Sequence, residues 1–213
     1  MDRKKFLMTA SLAAFSISAC AHVKIEGESG KIEEGEGEAG FIGECATSSD
    51  ILGPFYRPNA PERSDLTFAG LKGSVVEVKG RILGIDCITP VENAVVEIWH
   101  CNTEGEYDND SSEYRHRGSQ TTSKTGEYSF KTILPGKYLN GKLYRPAHIH
   151  FLVTSPTSQQ LVSQLYFMGD PHIAKDPWAS QEKARERIRP VVLEDVNGNL
   201  VVNLDIFTSP IEE

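Results

Sequence analysis

Residues 144–151 read YRPAHIHF, and the stretch runs on as LVTS to residue 155. After Pro146 the run is apolar and β-branched, which is the composition of a strand. In a strand, residues two apart share a face. His148 and His150 therefore stand side by side, while Ile149 and Phe151 turn the other way. A single histidine is usually a solvated or locally bonded ring. Two on one strand face are a way to hold a metal ion.

The same reading extends outward from this strand. Residues 74–85 (SVVEVKGRILGI), 93–100 (NAVVEIWH), 126–133 (GEYSFKTI) and 161–168 (LVSQLYFM) are strand-like. Residues 191–208 read as a hairpin turning at Asn197-Gly198. Only residues 176–188 (DPWASQEKARERI) read as helical, with Asp176 as N-cap and Pro177 at the first helical position. Short strands divided by Gly, Pro and Asn predict an all-β fold: an antiparallel β-sandwich with long loops and one short helix.

The chain has 213 residues, 39% of them hydrophobic, and a net charge of −8. That suits one domain plus an appendage. No basic stripe or zinc-finger spacing points to nucleic acid. Residues 1–19 read as an export signal, basic at Arg3, Lys4 and Lys5 and then apolar from Phe6 to Ile17. The ending ISAC, residues 17–20, resembles the lipobox of bacterial lipoproteins. That resemblance implies cleavage before Cys20 and lipid on it, and Ala21 favours the outer membrane; the membrane is then met only through this anchor. Residues 20–45 form a tether, Glu/Gly-rich over 26–44, and residues 46–213 form the folded body. Export permits one disulfide among Cys45, Cys87 and Cys101. If Cys87 and Cys101 lie on two arms of one hairpin they are too far apart to bond. Cys45 is then the partner of one of them.

The metal follows from the available donors. There is no HExxH, no CxxC and no cysteine near the pair, which argues against structural zinc. A two-histidine, one-carboxylate site would draw on Asp108 or Asp170. Tyr107 and Tyr138 sit in more distinctive settings, the first just after a strand and the second just before the histidine pair. A phenol, with a pKa near 10, becomes an anionic ligand only beside a strong Lewis acid such as Fe(3+). Two phenolates and a hydroxide neutralise that ion, and two imidazoles complete five positions.

GPFY (53–56), VVEIWHCNTEGEYD (95–108), RGSQTTSKTGEYSFKTILPGKY (117–138), YRPAHIHF (144–151) and QLYFMGDP (164–171) resemble, in order and spacing, the intradiol ring-cleavage dioxygenases. That family includes the protocatechuate 3,4-dioxygenases and the catechol 1,2-dioxygenases. The resemblance implies a transthyretin-like sandwich with Tyr107, Tyr138, His148 and His150 as ligands of Fe(3+). It makes Tyr138 the axial ligand that leaves when substrate binds, and Arg145 the catalytic arginine beside the substrate oxygens. Gln164, Gly53 and Pro54 match substrate-pocket positions. The partners implied are a catechol and O2, the product a cis,cis-muconate, and a homo-oligomer is open. The chain departs from catechol 1,2-dioxygenases in carrying a lipobox and tether where they carry a helical N-terminal region. The competing reading is a lipoprotein that binds ferric iron or a catecholate without turnover.

Overall fold

The computed structural model describes residues 45–193 and 199–211. The expectations for residues 1–44 and for the Asn197-Gly198 turn lie outside these. Among the described residues there are twelve strands. They are β1 (Val75–Gly84), β2 (Val95–Trp99), β3 (Arg117–Thr121), β4 (Glu127–Ile133), β5 (Tyr138–Asn140) and β6 (Leu143–Arg145), followed by β7 (His148–Thr154), β8 (Leu161–Phe167), β9 (Ile188–Arg189), β10 (Val192–Leu193), β11 (Leu200–Asn203) and β12 (Ile206–Thr208).

One five-stranded sheet runs β10-β11-β1-β12, with β4 also paired to β1. A second runs β3-β2-β7-β8-β9, and β5-β6 is a separate hairpin. The strands read from the sequence are present within a residue or two. The polar strand β3 and the short β5–β6 hairpin carry no apolar alternation and escaped that reading. The arms of the C-terminal hairpin pair antiparallel as expected, Val192 opposite Val201. The sheets are not wholly antiparallel, because β1 pairs parallel with β11 and with β12. β1 and β2 lie in different sheets, so Cys87 and Cys101 do not face each other across a hairpin. Cys45 bonds Cys87, with their Cα atoms 5.7 Å apart, and Cys101 is a buried free thiol.

The helix expected over 176–188 is not formed. That region holds a 3-10 helix at Glu182–Arg187, and a second 3-10 helix lies just before it at Ile173–Lys175. Asp176 does accept from the N–H groups of Trp178 and Ala179, as an N-cap would. Its other oxygen is committed to a buried arginine, and Ser180 and Gln181 close turns in place of a helix. Among the described residues no helix is long and apolar enough to cross a membrane.

The two five-stranded sheets pack face to face. Val76, Val78 and Phe130 of one meet Val96, Ile98, Ile149, Phe151 and Leu165 of the other, all fully buried. Each such side chain contributes about 1.5–3 kcal/mol. The alternate residues of β7, His148, His150 and Leu152, point away from this core and are buried too. Loop residues reach this face, with Ile51 at Gln164, Gly53 beside His150, Tyr107 at His148 and Asp176 at Arg145. The far face of the second sheet carries the candidate site.

Candidate metal centre

Strand register sets the floor of the site. Trp99 of β2 and Gln164 of β8 flank His150 of β7, and Tyr166 of β8 lies opposite His148. All three of these neighbours therefore project to the same face as the histidines. The His148 and His150 rings are 4.9 Å apart. Trp99 stacks on His150 at 4.7 Å with the planes 7° apart, which fixes the imidazole's plane.

The tyrosines arrive from two connections. Tyr107 sits in the β2–β3 loop and Tyr138 begins β5. Asn102 joins the connections by accepting the Gly136 N–H at 2.9 Å. Gly105, with φ +86°, lies so close that a Cβ there would collide with the Lys137 carbonyl and stand 3.1 Å from the Tyr138 Cα. Glycine is the residue that permits both the left-handed turn and this approach. The Tyr107 and Tyr138 rings consequently meet edge to face at 5.7 Å. The Tyr107 hydroxyl lies 3.3 Å from His148 Nε2, and the Tyr138 ring is 5.6 Å from that of His148. Residues 53–56 close the remaining side. Phe55 stacks on Tyr107 at 4.3 Å, and Gly53, with φ +75°, presses against His150.

This donor set fits a hard trivalent cation. His148 Nδ1 lies 2.6 Å from the Pro146 carbonyl, so Nδ1 carries the proton and Nε2 turns its lone pair toward Tyr107. Burial, with the Arg145 charge adding to it, lowers the His148 pKa to about 4. Burial likewise holds His150 well below its ordinary value. Both rings are neutral at pH 7, the form that coordinates metals. Burial raises the Tyr107 phenol above its ordinary value, so only a strong Lewis acid would ionise it. The carboxylates that could have made a different site are engaged elsewhere. Asp108 holds Ser111, Arg115 and Arg57, and Asp170 accepts from Ala147 and His172. Among the described residues no group of three or more His, Cys, Asp or Glu forms a metal cluster. The convergence is of two imidazoles with two phenols.

Behind the cluster is a buried polar network. Arg145 is 2% exposed, and its Nε donates to Asp176 at 2.9 Å. Its Nη2 reaches the Gln164 Oε1 at 3.0 Å and the Tyr166 hydroxyl at 3.2 Å. The Gln164 Nε2 donates to the Ile51 carbonyl at 2.8 Å and to Asp50, so both ends of this amide are occupied. Asp50 in turn accepts from Tyr166 at 2.9 Å and from Arg187 at 2.8 Å. Burial opposes charge on both Arg145 and Asp176, and their hydrogen bond overrides it: Arg145 is raised and Asp176 lowered. Sequence reading missed Asp50, Tyr166, Arg187 and the second role of Asp176. Asp50 and Arg187 are 137 residues apart, so no local pattern links them. Phe55 and Trp99 lay within quoted motifs, and their aromatic character was the available signal.

The dioxygenase family profile matches residues 51–206. This chain belongs to the dioxygenase family. It is 32% identical over 166 residues to catechol 1,2-dioxygenase 2 of Acinetobacter lwoffii, covering 68% of this chain and 59% of that protein. It is 30% identical over 183 residues to chlorocatechol 1,2-dioxygenase of Rhodococcus opacus, covering 71% and 67%. Among solved structures, the dioxygenase domain of a dioxygenase carbohydrate-binding fusion from Streptomyces sp. SirexAA-E matches with TM-score 0.67 and 26% identity, over 78% of this chain and 99% of that one. The matches to the two curated relatives span 59% and 67% of their lengths. This family relation and the observed sandwich agree with the intradiol fold expected from the sequence.

Proposed function

We propose that the protein is an intradiol dioxygenase that opens a catechol ring with O2 between its two hydroxyl-bearing carbons, placing both oxygen atoms in a cis,cis-muconate-type product. The observation that carries this reading is the clustering of the Tyr107, Tyr138, His148 and His150 rings on the far face of the second sheet. These four residues would hold Fe(3+). The ion, when bound, would supply Lewis acidity that ionises the phenols and the hydroxyls of a bound catechol, and the doubly deprotonated ring is the electron-rich form that reacts with O2.

The remaining tasks fall to the chain. Tyr138 would accept one catechol proton, as a general base within the site. Arg145 Nη1 is buried without a hydrogen-bond partner. Beside the Tyr138 phenol, this nitrogen would donate to negative charge developing on a substrate oxygen, as a preorganised donor. Phe55, packed on both tyrosines, and Gly53, beside His150, would border the ring, with Pro54 between them. Gln164, with both amide ends occupied, acts by holding Arg145. We further place the protein outside the cytoplasm on a lipid anchor at Cys20. The Cys45–Cys87 bond supports export, since such bonds persist in oxidising compartments.

The test is oxygen uptake by iron-loaded protein with catechol, protocatechuate, hydroxyquinol and chlorocatechols. Uptake matched by muconate formation is expected with at least one. Iron-loaded protein that changes colour with catechol yet consumes no O2 would instead be a catecholate-binding protein. Tyr138→Phe should alter the visible phenolate-to-iron absorption of folded protein; an unchanged spectrum removes Tyr138 from the ligand set. Incorporation of labelled palmitate that persists in Cys20→Ala would refute the anchor.

A further inference from the structure

Arg145 lies behind the candidate site, with its Cζ 6.0 Å from the centre of the Tyr138 ring, and its five N–H donors can be accounted for individually. The Nε proton goes to Asp176 Oδ2 at 2.9 Å. Nη2 is shared among Gln164 Oε1, the Tyr166 hydroxyl and, at 3.5 Å, Asp176 Oδ1. Nη1 is left without a partner. The planar group is also fixed from the side: its Cζ lies 4.4 Å from the centre of the Trp178 ring and 6.0 Å from that of Tyr138.

One carboxylate sets most of this. Asp176 is 1% exposed. Its Oδ2 holds the guanidinium, and its Oδ1 accepts from the Trp178 and Ala179 N–H groups at 3.0 and 2.8 Å. The residue that aims Arg145 thus also seats the indole against which Arg145 stacks. Remove its charge, and the buried network of Asp50, Asp176, Arg145 and Arg187 becomes net positive beside two neutral imidazoles.

We propose that Asp176 is a positioning residue, which orients Arg145 so that Nη1 is the edge presented to substrate oxygen and seats Trp178 as the other wall of that guanidinium. The inference rests on the proposed dioxygenase reading for its kinetic consequence, and on geometry alone for the orientation. It concerns a residue that touches neither substrate nor metal and acts through Arg145.

Asp176→Asn separates the two oxygens, because the amide can still accept from the turn while losing the charge and one acceptor. In iron-loaded protein, kcat is expected to fall about 10- to 100-fold, as for a misplaced catalytic group. Iron content and the resting visible spectrum should be unchanged. Against an Arg145→Ala background the same change should cost less than about twofold, since the coupling partner is gone. A kcat within about twofold of the parent, or losses that multiply in the double variant, would overturn the proposal. Asp176→Glu keeps the charge but displaces it, and should also lower kcat if orientation is what matters; parental turnover in that variant counts against it. Should the parent show no oxygen uptake, the dioxygenase reading fails and the orientation is read separately. The Arg145 Nε–H resonance of metal-free protein is expected to exchange slowly and to shift or vanish in Asp176→Asn. A rapidly exchanging signal in the parent refutes the orientation.

Discussion

Gly53→Ala tests how the loop of residues 53–56 meets the candidate metal centre. The residue has φ +75°, and an added Cβ would stand 3.2 Å from His150 Cε1 and 3.7 Å from Nε2. The left-handed backbone costs an L-residue about 1–2 kcal/mol. The stiffer unfolded chain returns about 0.4–1 kcal/mol. The contact adds a further cost, because His150 is stacked against Trp99 and can yield only a few tenths of an ångström. A net loss of about 1–2 kcal/mol is expected, or ~2–8 °C in Tm for a body of this size. Gly70→Ala is the matched control: its φ is +80°, and nothing lies within 4 Å of the added Cβ. It carries the same backbone cost without the contact. Melting curves and iron titrations of both variants separate the two effects. Gly53→Ala should weaken iron binding about tenfold, as changes to a ligand's supporting contacts do, while Gly70→Ala leaves it intact. Equal iron affinity in the two, or a Gly53→Ala protein as stable as its parent, would refute the close approach to His150.

Three further outcomes are expected. Asp50→Ala strands the fully buried Arg187 and removes the acceptor of Tyr166; a loss of about 3–5 kcal/mol is expected by denaturant titration, and a loss under about 1 kcal/mol would show the pair is hydrated. His100, bonded to Thr132 and the Cys101 carbonyl, has its pKa lowered by burial to about 3. Its unfolded form takes up a proton below about pH 6.5, so stability is full above that pH and falls toward pH 3, by about 1.4 kcal/mol per pH unit. His100→Gln should flatten the pH dependence by one proton, and an unaltered slope between pH 6 and 4 would show that His100 titrates normally. Opening the Cys45–Cys87 bond, which links residues 42 apart, should cost up to about 4 kcal/mol in the loop-entropy account. Comparing denaturation midpoints of native and Cys45→Ser/Cys87→Ser protein checks this, and equal midpoints would place the bond's effect elsewhere.

The sequence by itself determined what depends on local periodicity. The alternation in residues 148–154 gives a strand with two histidines on one face, because side chains repeat every second residue. The β-branched runs gave β1, β2, β4 and β8, and the ordered motifs gave the family and the set of four ligand candidates. Only the tertiary structure decided what depends on residues far apart. Asp176 carries every local sign of a helix cap and does cap the Trp178 and Ala179 N–H groups, yet the chain beyond it makes turns and a 3-10 helix, and its second oxygen serves a buried guanidinium far away in sequence. Gln164 reads as a pocket amide, but its neighbours on other elements occupy both of its ends. The parallel pairing of β1 with β11 and β12, and the contacts of Trp99 and Gly53 with His150, also join distant segments. A hydrogen bond or a stacked ring acts over a few ångströms of space, and the chain distance between its partners leaves no trace in local pattern.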